Sequence, residues 1–99
     1  MKVYINGIGN ISPQETWDNT KFLKEVVSSD DNRLLCVEPV YKEYISPIKL
    51  RRMSKIIKRG IASALIALKD ANVENPGAII TGTGWGCWAD TEKFLLTMI

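Results

Sequence analysis

Residues 78–86 constrain the fold of this chain more than any other part of its sequence. The apolar run at 78–80 is short and has glycines on both sides, a pattern typical of a strand buried on both faces of a mostly parallel sheet. Asp90 then stands where it can cap a helix. The order of strand, glycine turn and helix predicts an α/β fold. The turn, in which glycine recurs at every second position, comprises Gly82, Gly84 and Gly86.

Two more strands and one more helix are predicted in the first part of the chain. β-branched and aromatic residues over 2–8 predict a strand that ends in a turn containing Gly7 and Gly9. Residues 34–37 predict a short strand before a proline. Apolar spacing over 14–27 fits one face of a helix.

One long helix is the clearest predicted element. It begins at Ser46-Pro47, with serine as the cap and proline in the first helical position, and it ends at Asn72. Residues 61–68 are apolar nearly all round, which predicts burial between layers, and Gly60 in mid-helix predicts close packing against another element. The apolar stripe comprises Leu50, Met53, Ile56, Ile57, Ile61, Ala64, Leu65 and Leu68.

Basic side chains are concentrated near the start of this helix. The net charge is only +2, yet six of the 13 lysines and arginines lie within residues 49–59. Low net charge and the lack of interleaved aromatic residues disfavour nucleic acid as the partner. An ordinary solvated face is the plain interpretation of such a run. The residues at its start are Lys49, Arg51, Arg52 and Lys55.

The sequence assigns neither a catalytic residue nor a metal site. It has no histidine, which removes Ser-His-Asp and Cys-His catalysis and most zinc chemistry within these residues. Cys36 and Cys87 form no CxxC pair and are expected to be buried as small hydrophobic residues. Because Cys87 stands where a third glycine would be needed, the glycine turn does not match a nucleotide-binding motif.

Composition also bounds the location and extent of the chain. No signal peptide and no apolar run of about 18 residues is found, so we expect a cytoplasmic protein without a membrane span. Residues 91–99 carry five apolar side chains and stop without a cap, which leads us to expect residues 1–99 to be the front part of a longer protein. We therefore expect exposed apolar surface, and hence self-association or partial disorder of the isolated chain.

Three segments, in order, resemble landmarks of the β-ketoacyl-acyl-carrier-protein synthases. Residues 3–13, with Asn6-Gly7-Ile8-Gly9 and Ser12-Pro13, resemble the opening strand and turn of that family. Arg51-Arg52-Met53 at the start of a long helix is similar to the second landmark, and Gly82-Thr83-Gly84-Trp85-Gly86 resembles the third. The stretch from about 28 to 44 matches poorly.

The resemblance implies the N-terminal portion of a thiolase-like layered α/β/α/β/α fold, incomplete in this chain and part of a homo- or heterodimer. The family catalyses decarboxylative Claisen condensation of acyl and malonyl groups on acyl carrier protein, in fatty acid or polyketide biosynthesis. Its nucleophilic cysteine and its histidines lie downstream of the glycine turn. This chain contains none of those positions, so the fragment alone is expected to be inactive, and Cys87 is not matched to the nucleophile.

The family receives its substrates on an acidic carrier protein, whose phosphopantetheine serves as the carrier's own cofactor. The resemblance therefore implies that Lys49, Arg51, Arg52 and Lys55 dock this carrier, with an ordinary solvated face as the alternative. It also places Gly82, Gly84 and Gly86 beside a catalytic chamber, although a purely structural turn is the favoured interpretation of the glycines. Trp85 and Trp88 depart from the small or aliphatic residues usual there. A non-catalytic partner, like the chain-length factors, and a small basic binding module unrelated to condensing enzymes remain alternatives.

Overall fold

The structure is a computed structural model that describes residues 1–21, 23 and 25–99. A 3-10 helix spans Tyr41–Glu43 and is followed by three α-helices. These are α1, Pro47–Leu50; α2, Lys55–Ala71; and α3, Trp88–Thr97. The other described residues form turns and irregular segments.

The described part of the chain contains no β-strand, so the prediction of an α/β, thiolase-like layered fold is wrong. Residues 2–8, 34–37 and 78–80 are irregular instead. A strand forms only where a neighbouring strand pairs with its backbone groups. Between residues 34–37 and the described residues before them, the one backbone bond is donated by Val37 N–H to Ser12 O, at 2.9 Å.

The predicted long helix is divided into α1 and α2. Its start at Pro47 and its end before Asn72 are confirmed, but a turn interrupts it after Leu50. Ser54 then caps α2, because its hydroxyl accepts a hydrogen bond from Ile57 N–H. This second serine supplies a new helix start that competes with continuation of α1.

The end of α2 is fixed by backbone geometry. Asn72 takes a left-handed conformation, with φ 56° and ψ 44°. Its N–H donates to Lys69 O at 3.1 Å, and Val73 N–H donates to Leu68 O at 2.9 Å. These two bonds form a Schellman motif, which satisfies the last carbonyls of the helix.

The helix predicted over 14–27 is not found in its described residues, and Phe22 and Lys24 lie outside them. Polar side chains bond to the backbone in its place. Gln14 accepts from Val27 N–H at 2.8 Å and donates to Val27 O at 2.9 Å, which closes a loop. Asp18 Oδ1 accepts from Thr20 N–H at 3.0 Å. Such local bonds offer the backbone an alternative to helical hydrogen bonds.

The last helix begins slightly earlier than predicted. Cys87, not Asp90, occupies the cap position of α3, and it makes no side-chain capping bond. Asp90 lies in the first turn, where its negative charge interacts favourably with the positive end of the helix dipole.

The apolar core is small. Among the described residues, the buried apolar side chains are Ile45, Ala62 and Ile66, together with Pro39. Burial predicted over 61–68 is therefore only partly observed. The radius of gyration is 16.0 Å, whereas a compact chain of this length has about 13 Å.

Much apolar surface faces solvent, as expected from the sequence. Ile80 is 97% exposed and Leu96 is 64% exposed. Phe94, Leu95 and Met98 of α3 and its C-terminal flank are exposed as well. The helices and the small core cover only a minority of the large hydrophobic side chains.

The N-terminal segment packs closely on α2 at two glycines. Ser63, Ala67 and Ala71 are four residues apart and form one narrow face of the helix. A Cβ atom on Gly7 would lie 2.7 Å from Ala71 N, and one on Gly9 would lie 3.0 Å from Ala67 N. The segment runs antiparallel to α2, and only glycine allows its backbone to come this near.

We expect G7A and G9A each to reduce the free energy of unfolding by about 1–3 kcal/mol, because the new methyl group overlaps the backbone of α2. Urea unfolding followed by circular dichroism measures the change. G77A is the matched control, since nothing lies within 4 Å of that position. Equal stability of G7A, G9A and G77A would contradict the packing described.

Gly60 has the opposite environment, and the close packing predicted for it is wrong. Apart from its chain neighbours and the backbone of α2 itself, no atom of the described residues lies within 4 Å of a Cβ built there. We expect G60A to raise the free energy of unfolding by about 1 kcal/mol, because alanine removes the conformational cost of glycine in a helix. A lower urea midpoint for G60A than for the unaltered chain would contradict this expectation.

Candidate functional site

The four predicted docking residues lie together across the break between α1 and α2. Lys49 is in α1, Arg51 and Arg52 form the turn, and Lys55 is the first residue of α2. All four are exposed. We call this set the basic turn. Arg52 N–H donates to Lys49 O at 3.3 Å, which holds the turn closed.

The predicted glycine turn is exposed over its whole length. Gly86 has a φ of 58°, which favours glycine, and its N–H donates to Thr83 Oγ1 at 2.9 Å. Apart from its chain neighbours, no atom in the described part of the chain lies within 4 Å of a Cβ built at Gly82, Gly84 or Gly86. Of the three glycines, only Gly86 is thus required by the backbone conformation.

A side-chain contact brings the two predicted site regions together. Ser54 Oγ lies 3.5 Å from Cys87 Sγ, although the two residues are 33 positions apart. Ser54 precedes Lys55 of the basic turn, and Cys87 follows Gly86 of the glycine turn. The N-termini of α2 and α3 therefore lie side by side. Cys36 and Cys87 are each half-buried, so neither is the fully buried residue that was predicted.

The electrostatics of this region favour anions. Helix N-termini carry partial positive charge and backbone N–H groups without partners inside the helix. Four cationic side chains lie at or near the N-terminus of α2. Beside the glycine turn, Trp85 and Trp88 pack edge to face, with ring centroids 5.9 Å apart. Trp85 is 80% exposed, so the pair offers an apolar face at the glycine turn.

A second polar cluster was not predicted. Arg59 Nε donates to Glu38 Oε1 at 2.8 Å, and Tyr41 OH donates to Glu38 Oε2. Lys58 Nζ lies 5.6 Å from the centre of the Tyr41 ring, within the range of a cation–π interaction. Because Glu38 and Arg59 are 21 residues apart, no local pattern could have paired them.

This cluster divides the basic run into two functional halves. Arg59 is engaged by a carboxylate and Lys58 by an aromatic ring, whereas the basic turn is exposed. No carboxylate of the described residues lies within 4 Å of the basic-turn nitrogens. The half nearer α1 is therefore the half whose charges are exposed to solvent.

The same cluster shifts three ionisation equilibria. Burial, and then the bond to Glu38, raise the pKa of Tyr41 to about 12. Burial tends to raise the pKa of Glu38, but hydrogen bonds from Arg59 and Tyr41 outweigh it and leave the pKa below its ordinary value. The bond to Glu38 raises the pKa of Arg59.

Comparison with protein-family models, with curated proteins and with solved structures finds no significant match to this chain. Among the helices that the structure describes, none combines the length and the apolar character needed to span a membrane. No group of three potential metal ligands comes together among the described residues.

We expect Tyr41 to ionise near pH 12 and E38Q to lower its pKa, because the substitution removes a neighbouring negative charge. Absorbance of the phenolate during alkaline titration measures the pKa of Tyr41. The part of the absorbance change near pH 12 should be absent in Y41F, which assigns it to Tyr41. The pKa should stay above 10.0 in E38Q, since burial remains. E43Q is the control.

The pKa of Tyr41 is higher in the folded chain than in the unfolded chain, so protonated Tyr41 contributes to stability. This contribution is complete below pH 10.0 and is lost as the pH rises toward 12. The free energy of unfolding should therefore fall over that interval, and fall less in Y41F. A late titration that E38Q leaves unchanged would contradict the contact between Glu38 and Tyr41.

Proposed function

We propose that this chain is the N-terminal portion of a β-ketoacyl synthase-like acyltransferase and that its basic turn helps to dock acyl carrier protein. The proposal is supported by three sequence segments that stand in the order of the family's landmarks. It is supported further by the exposure of Lys49, Arg51, Arg52 and Lys55. It does not depend on the layered fold, which the described residues lack.

One observation carries the docking role. The contact between Ser54 and Cys87 sets the positive ends of two helices beside four exposed cations. A carrier protein offers matching chemistry, because its surface is acidic and its prosthetic group contains a phosphate. Arginine suits carboxylates and phosphates since its planar guanidinium can form two parallel hydrogen bonds.

Docking of this kind depends on long-range attraction more than on a large contact area. Opposite charges on two proteins steer their encounter and raise the association rate. Salt weakens the effect, because exposed charges are screened beyond about 8 Å at physiological ionic strength. The proposal therefore implies affinity that falls steeply with added salt.

The parent reaction transfers an acyl group to a cysteine, after which a malonyl group loses carbon dioxide and the resulting carbanion attacks the acyl carbon. This chain contributes docking to that sequence and no bond-making step. It has no histidine, and Cys87 is the half-buried partner of Ser54.

A non-catalytic, chain-length-factor-like partner is the second candidate. The exposed Trp85–Trp88 pair favours it, because two large rings flank a turn where condensing enzymes have small or aliphatic residues. Such a partner would act by dimerisation and carrier docking. An assay of condensation by the polypeptide purified from its source distinguishes the two candidates, since only a synthase forms the β-ketoacyl product.

We expect the double substitution R51E/R52E to weaken binding of phosphopantetheinylated acyl carrier protein by about tenfold at low salt, because it reverses two charges on the docking surface. Isothermal titration calorimetry at low and at physiological salt measures the dissociation constant. At physiological salt the dissociation constants of the unaltered chain and of R51E/R52E should become nearly equal, because salt screens the charges.

K2E/K69E is the matched control, since it changes the net charge from +2 to −2 just as R51E/R52E does. Lys69 lies about 21 Å along α2 from Lys55, given 1.5 Å per residue. The same loss of affinity in both variants would show that net charge alone attracts the carrier. Unchanged affinity in R51E/R52E would overturn the docking role.

A further inference from the structure

A pocket of about 300 Å³ lies between the turn at 17–20 and the C-terminal half of α2. None of the basic-turn residues lines it, and the proposed function makes no use of it. Its volume is at the lower end of the range of small-molecule sites. The walls come from three separate parts of the chain, represented by Trp17, Tyr44 and Ile66.

The backbone of Ile8 ties two walls of this pocket together. Ile8 N–H donates to Asp70 Oδ2 at 3.0 Å, and Asn19 Nδ2 donates to Ile8 O at 2.7 Å. Ile8 stands between Gly7 and Gly9, whose close packing on α2 positions it. The pocket is thus formed before any ligand arrives, which reduces the ordering cost of binding.

Part of the pocket's inner surface is apolar and aromatic. Ile66 is only 6% exposed, and Trp17 and Tyr44 are half-buried. Aromatic side chains offer flat faces that attract hydrocarbon rings and cations alike. A ligand with a small apolar body therefore has a surface to cover.

Two carboxylates and one cation line the pocket, and these are Asp18, Asp70 and Lys69. Beside it, the largely exposed side chain of Lys21 places its Nζ 3.8 Å from Asp18 Oδ2. Each carboxylate has one oxygen engaged by a backbone N–H, at 3.0 Å in both cases. The bonds to Thr20 also lower the pKa of Asp18, so its carboxylate is ionised at neutral pH.

We propose that this pocket binds a small organic ammonium ion, with its apolar body between Trp17 and Tyr44 and its charged nitrogen near Asp18 and Asp70. Two carboxylates beside aromatic rings match this class of ligand, because the carboxylates accept its N–H groups and the ring faces attract its charge. Ile66 forms the base against which the apolar body packs.

The test uses three probes that share one phenyl ring and differ in charge. These are phenethylamine, which is cationic at neutral pH, phenethyl alcohol, which is neutral, and phenylacetate, which is anionic. Each is titrated into the full chain during proton–nitrogen NMR, and the indole N–H of Trp17 is assigned with W17F. We expect saturable shifts at Trp17 and at the amides of 17–20 and 66–70 with phenethylamine, at a dissociation constant at least about fivefold below that of the alcohol.

D18N and D70N should each weaken binding of phenethylamine by about three- to fivefold, the effect of one partly exposed charge pair. D90N, which removes a carboxylate of α3, is the matched control and should leave the affinity unchanged. The probe series needs no substitution, so it decides the matter even if D70N unfolds the segment that holds Ile8.

Three results would overturn the proposal. Equal affinity for the amine and the alcohol would make the pocket a plain apolar cavity. Tighter binding of phenylacetate would assign it to anions through Lys69. No saturable shift with any probe would show that the pocket does not bind this class of compound.

Discussion

The close crossing of the N-terminal segment over α2 is the interaction on which the rest of the structure depends. Gly7 and Gly9 rest on the narrow face formed by Ser63, Ala67 and Ala71. Their approach allows Ile8 to bond with Asp70 and with Asn19, which connects the first twenty residues to the helix. Because few side chains are buried, close packing of backbone segments stabilises this structure, whereas larger proteins are stabilised mainly by a hydrophobic core.

A second, weaker junction organises the other end of α2. Ser54 caps that helix and also lies against Cys87 at the start of α3. One hydroxyl thus interrupts the predicted long helix, exposes the basic turn and sets two helix N-termini together. The two ends of α2 consequently differ in character, since cations gather at its start and carboxylates and aromatic rings surround its final turns.

The sequence predicted those features that depend on a few neighbouring residues. Pro47 at a helix start and Asn72 at a helix end follow from local backbone chemistry, and both are confirmed. The prediction of strands was wrong because a strand needs a second strand to pair with, and local sequence does not reveal whether one is present. Exposure of the basic turn followed from charge clustering, but its contact with the glycine turn and the pairing of Glu38 with Arg59 join residues 21 or more positions apart.

Residues 79 and 80 have a consequence for how copies of this chain meet. Ile79 and Ile80 are exposed and outside any sheet, as are Val3 and Ile5 near the other end of the chain. Segments rich in such residues pair readily into cross-β stacks. A molecule with two of them can join two others at once, so stacking would extend into a fibril without a natural end, unlike a twofold interface, which closes at two copies.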